Sequence, residues 1–174
     1  IIDEYVKQNL NSIFLRPLSP YGFAIKTKQT EKYNAGNWID FFKDGLDYII
    51  SLNQAGYFLV EQYSRIIMRK LFSSENPGYV DLQNPAGIGI SVVVYNYDGD
   101  VYASDEARML KEMGDETFKL GNLHKNTYEE IFGFEPLLES LESSILESAP
   151  MCSDCGLQAF CGADPVYHHA TQGD

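Results

Sequence analysis

The chain has 174 residues, 44% of them hydrophobic and 22% charged, with twelve Tyr, ten Phe and one Trp, enough apolar material for a core and too little charge for bulk disorder. Its charge is lopsided: residues 1–80 hold nine Lys and Arg against eight Asp and Glu, whereas residues 81–174 hold four against seventeen. An acidic second half argues against nucleic acid as a partner, and the lack of a run of roughly 18 to 20 apolar residues, or of a signal peptide, argues against a membrane.

In chain order, residues 3–10 read as the end of a helix. Residues 12–16 read as a short buried strand closed by Pro17, and 17–36 as a long loop. A helix is predicted over 37–53, with Trp38, Ile39, Phe42, Leu46, Ile49 and Ile50 at helical spacing and Gly56 placed to end it. Residues 57–60 form a second apolar run. A second helix over 61–72 puts Tyr63, Ile66, Ile67 and Leu71 on one face. This alternation is the mark of a parallel α/β sheet or barrel. Two strands do not make a stable parallel sheet, so the segment reads as part of a barrel, with a small α+β domain as the alternative.

Ser73-Ser74-Glu75-Asn76-Pro77-Gly78 is a linker-like break, and the charge balance changes near it. A boundary at about 75–85 separates domains 1–78 and 79–174. The second domain opens with a β-rich run over 90–95, a turn at Asn96-Tyr97-Asp98-Gly99 and a returning strand over 100–103, together a hairpin. Ser104 is placed to cap a helix whose first turn holds Asp105 and Glu106. Residues 119–123 read as extended, 128–132 as a short helix and 136–148 as a longer one. The chain opens without Met and closes on Gln172-Gly173-Asp174, which suggests a piece of a longer protein.

All three cysteines, Cys152, Cys155 and Cys161, lie within ten residues. An odd number in so short a span is not a disulfide framework, and clustered thiols in a reducing, cytoplasmic setting read as metal ligands or a redox site. A Cys-x2-Cys pair converges on one ion from a single turn and a third thiolate joins across a short loop, which suits an iron–sulfur cluster or zinc. Both want four ligands. His124, His168, His169, Asp164 or a later cysteine could supply the last.

The second half resembles the SPASM or twitch extension of radical SAM peptide-modifying enzymes. Cys152, Cys155 and Cys161 match that family's Cys-x2-Cys-x5-Cys motif, whereas Ser104 and Pro165 stand where it has further cysteines. Residues 118–123 and 128–132 look like its link from the hairpin and the short helix that follows. A closer match is the His-Xaa-Ser system radical SAM maturase family, B component. That likeness is carried by residues 13–24, by residues 97–108 and by Cys152 to Pro165. It implies a partial TIM barrel followed by a SPASM/twitch-like extension, an α/β plus α+β chain. In the parent enzyme a 4Fe-4S cluster and S-adenosylmethionine would sit on a Cys-x3-Cys-x2-Cys motif, which is absent here. The extension would hold an auxiliary 4Fe-4S cluster, or zinc in isolation, and help present a ribosomally made precursor peptide alongside a partner maturase. The piece alone would be inactive.

Arg16 and Glu61 fall at the predicted C-terminal ends of the two strands, where barrel chemistry gathers. They are read as cofactor-binding residues or as a salt bridge between strand ends. Asp105 and Arg108 after the hairpin are either substrate-binding or the wet side of a capped helix. An open barrel edge predicts self-association. The competing function is a zinc-stabilised binding module without catalysis.

Overall fold

A computed structural model describes residues 1–22, 34–75, 78–79 and 82–173. The chain is a mixed helix-and-sheet protein with small sheets. It divides into unit 1, Ile1–Ser19 with Thr27–Pro77, and unit 2, Pro20–Lys26 with Gly78–Asp174. Most of the loop predicted over 17–36, and Asn76 and Pro77 of the predicted linker, lie outside the described residues. Among the described residues no helix is long and apolar enough to cross a membrane.

Unit 1 runs α1 (Ile2–Lys7), β1 (Ser12–Ile13), α2 (Ala35–Gln54), β2 (Val60–Glu61) and α3 (Gln62–Phe72). Helix α2 starts before the predicted residue 37 because Asn34 caps it, its side chain accepting from Gly36 N at 2.7 Å. The strands pair in parallel, Ser12 opposite Val60 and Ile13 opposite Glu61. The second strand is displaced from the predicted 57–60. Asn53 is the cause: its amide donates to Ile49 O and Leu59 O and accepts from Leu59 N, tying that stretch to the end of α2. Ile13, Leu15, Ile49 and Leu59 form the core. The intervening Phe14, Arg16 and Phe58 are exposed, the period-2 pattern of strands covered on one face.

Unit 2 runs β3 (Val94–Tyr95), β4 (Asp100–Tyr102), α4 (Asp105–Glu112), β5 (Lys119–Asn122), α5 (Tyr128–Phe132), α6 (Glu135–Ser143), a 3-10 turn (Gln158–Phe160) and α7 (Pro165–Gln172). The strands form one antiparallel sheet in the order β3-β4-β5, with Val94 opposite Tyr102 and Val101 opposite Gly121. The predicted strand 90–95 keeps only its last two residues. Ahead of them Ser91 N and Val92 N both donate to Gly87 O, a turn that Gly89 permits at φ +68°. Helix α6 stops at Ser143 and gives way to isolated turns, short of the predicted 148. Helix α7 was not predicted. Asp164 caps it from Val166 N at 3.0 Å and Pro165 fills its first position, a start signal legible in the sequence. The core gathers Val101, Tyr102, Ala103, Leu110, Phe118, Leu120, Ile131, Leu137 and Val166.

Gly89 and Gly114 separate backbone strain from packing. Both have positive φ, but a Cβ on Gly89 would sit 2.6 Å from Leu137 Cδ1, whereas one on Gly114 meets nothing within 4 Å. Gly114→Ala should therefore lower stability by about 1 kcal/mol and Gly89→Ala by about 2–4 kcal/mol. Urea unfolding midpoints of the two variants check the difference.

Candidate metal centre

The cysteine loop is a chain of tight turns with a three-residue step. Cys152 N donates to Ala149 O, Cys155 N to Cys152 O, Gln158 N to Cys155 O and Cys161 N to Gln158 O, at 3.0–3.2 Å. The thiols are spaced on that same step, three and then six residues apart. Gln158 Nε2 also donates to Cys152 O at 3.1 Å and braces the first turn. All three thiols are free; Cys152 is half-buried, and Cys155 and Cys161 are exposed.

The donor chemistry suits a soft ion or cluster. The geometry is not preformed: among the described residues no three His, Cys, Asp or Glu side chains are grouped to hold a metal ion. To share one ion the thiols would have to come closer together.

A cleft of about 520 Å³ runs beside the loop, lined among others by Phe118, Ser140, Ser144, Cys152, His168 and Gln172. His168 Nδ1 lies 3.1 Å from Gln172 Nε2. The neighbouring His169 turns elsewhere, its Nε2 2.7 Å from Asp115 Oδ2 and its ring edge-on to Phe118. Burial pushes the Asp115 carboxyl up, but hydrogen bonds from Thr117 and the His169 contact outweigh it and hold the group below its usual range.

The hairpin carries the second group of predicted residues. Ser104 is buried and caps α4 from Ala107 N at 3.1 Å, as its position predicts. Asp105 and Arg108 are brought together, but with each other: Arg108 Nε and Nη2 donate to Asp105 Oδ1 at 3.0 and 2.8 Å. That pairing raises the Arg108 pKa. Below them sits a polar network that the sequence did not reveal. Asp100 accepts from Asn122 Nδ2 at 2.8 Å and from Tyr102 Oη at 3.3 Å, and Lys119 Nζ lies 2.6 Å away. The Asn122 and Lys119 hydrogen bonds hold the Asp100 carboxyl below its usual range, against burial. Burial, then the Asp100 charge, pushes the Tyr102 phenol up to about 12.

In unit 1, Arg16 is exposed with its guanidinium carbon 5.4 Å from the Phe14 ring centroid. Glu61 is buried, and its carboxylate accepts from Leu15 N at 3.0 Å, Tyr63 N at 3.0 Å and Ser64 N at 2.6 Å. It caps α3 and ties the segment after β1 to it, a structural role that the sequence reading did not give it.

Comparison with known proteins finds no matching family model, no matching curated protein and no matching solved structure.

Two expected outcomes follow from these networks. Glu61→Ala removes a cap and strands a buried N–H, and should cost about 2–4 kcal/mol in urea unfolding of the chain. The lowered Asp100 pKa contributes stability that is present above the ordinary carboxylate range and lost as pH falls through the folded-state value. Asp100→Asn should therefore flatten the fall of the unfolding midpoint between roughly pH 5 and pH 2. Asp115, shifted in the same direction, accounts for part of the slope that remains.

Proposed function

We propose that this chain is the C-terminal part of a radical SAM enzyme that modifies a ribosomally made peptide, with unit 2 as its SPASM- or twitch-like extension. One conjunction carries the reading. Hairpin β3–β4, capped helix α4, strand β5 and short helix α5 stand in the order that the resemblance implies, and they are followed by three free thiols on one loop. Unit 1, a parallel strand pair covered by a helix on one side and showing Phe14 and Phe58 on the other, is compatible with a slice of a partial TIM barrel.

In this reading the loop thiols hold an auxiliary 4Fe-4S cluster, and the cluster supplies electron transfer when bound. Arg16 is the candidate contact for the parent enzyme's S-adenosylmethionine. The Asp105–Arg108 pair offers both charges to a precursor peptide at the start of α4. The partners are that peptide and a second maturase, the compartment is the cytoplasm, and the open barrel edge favours self-association.

Protein made and purified without oxygen tests the cofactor reading. About four irons with sulfide per chain and broad visible absorbance are expected. One zinc in a colourless protein supports a zinc-stabilised binding module instead. Neither metal overturns both.

A further inference from the structure

We infer that the cleft beside α6 is a docking site for a basic segment of another polypeptide, an extended stretch in which Arg or Lys flank apolar residues. The inference stands apart from any metal and from the proposed enzyme, whose peptide meets the Asp105–Arg108 pair.

The walls of the cleft are apolar and its α6 side is rich in acceptors. Phe118, Leu146, Ala149, Ala163 and Pro165 line a space of about 520 Å³. That lies inside the roughly 300–1,000 Å³ of clefts that hold ligands. Ser140 Oγ donates to Pro136 O at 2.6 Å, Ser143 Oγ to Ser140 O at 2.9 Å and Ser144 Oγ to Leu141 O at 2.7 Å. Each hydroxyl has thus spent its one hydrogen on the backbone, and what remains to it is acceptor capacity. His168 and Gln172, which also line the cleft, engage each other. Glu139 adds a carboxylate to the same lining. Hydroxyl oxygens beside a carboxylate call for a donor that carries positive charge.

The chain does not supply that charge locally. From residue 126 to 174 the sequence has nine Asp and Glu and no Lys or Arg. Some of these have partners: Glu130 closes the capping box of α5, Glu147 accepts from Asn84 and Asp164 caps α7. Glu135, Glu139 and Glu142 are exposed and form no hydrogen bond or ion pair with the described residues. At i, i+4 and i+7 they share one face of α6, where like charges repel. A neutral or acidic occupant leaves that repulsion in place and takes water from the Glu139 carboxylate without replacing it. A cation relieves the repulsion, while its aliphatic stem and its apolar neighbours cover the walls. Helical rise sets Glu135 and Glu142 about 10 Å apart along the axis. An extended peptide advances about 3.3 Å per residue, so cations three positions apart match that span.

Binding of short fluorescein-labelled peptides to the whole 174-residue chain, kept reduced, tests this by anisotropy. The probe places two Arg three positions apart around Leu and Phe. One matched peptide has Glu for Arg, and another has Ser for Leu and Phe. The probe should bind at least about tenfold more tightly than either. Glu139→Lys should weaken it about tenfold, since attraction becomes repulsion, and Ser143→Trp, which narrows the cleft, by at least as much. Both altered residues are exposed, and circular dichroism shows that each variant is folded. Glu112→Lys, the same change in net charge outside the cleft lining, should stay within about twofold. Equal binding of the three peptides, equal losses in Glu139→Lys and Glu112→Lys, or unchanged binding by Ser143→Trp overturns the site. Spermidine that binds as tightly as the probe, or a dimer in sedimentation that Glu139→Lys dissolves, gives the cleft to a polyamine or to a second copy and overturns the peptide. None of these readouts depends on iron or zinc.

Discussion

Val101, Tyr102 and Ala103 are exposed by no more than 1%, so every peptide group of β4 must find its partner inside unit 2. Much of the unit follows from that requirement. Strands β3 and β5 flank β4 and take the ladder bonds on either side. Where β3 has not yet begun, Gly89 N donates to Ala103 O at 2.8 Å, and on the opposite side Ala103 N donates to Phe118 O at 3.1 Å. The Gly89 turn is thus a substitute strand, and Leu137 of α6 packs against the space that a side chain there would need. Burying one short strand fixes the turn before it, the helix after it and a helix well downstream.

The acidic side chains described above largely serve the backbone or one another. Glu61 and Asp164 cap helices, Asp115 holds His169 and a turn, and Asp100 binds Lys119 and Asn122. Each takes up N–H groups or a charge that would otherwise be stranded at a helix end or in a partly buried place. Among the described residues the thiols have no such employment. They are also the residues whose type and spacing first suggested chemistry.

Local signals made most of the fold legible in the sequence. Helix α5 falls on its predicted span because Thr127 and Glu130 form a reciprocal capping box. Helix α3 and the Ser104 cap of α4 are equally local. Most of what escaped was non-local. The strand ends were moved by Asn53 in unit 1 and by the Gly87–Val92 turn in unit 2, bonds that no alternation of apolar residues announces. Helix α7 escaped although Asp164-Pro165 marked its start. The site shows the same split. Spacing singled out the three thiols, but not which histidine shares a cleft with Cys152, because that depends on how α7 packs.

Three free thiols, two of them exposed, also bear on how the molecule behaves in air. An odd set cannot close on itself. Oxidation joins at most two within one chain and leaves the third to react with another copy, with glutathione or with oxygen. The loop is therefore a point of covalent cross-linking, and a molecular mass measured without reductant reports sulfur chemistry as much as any surface of the fold.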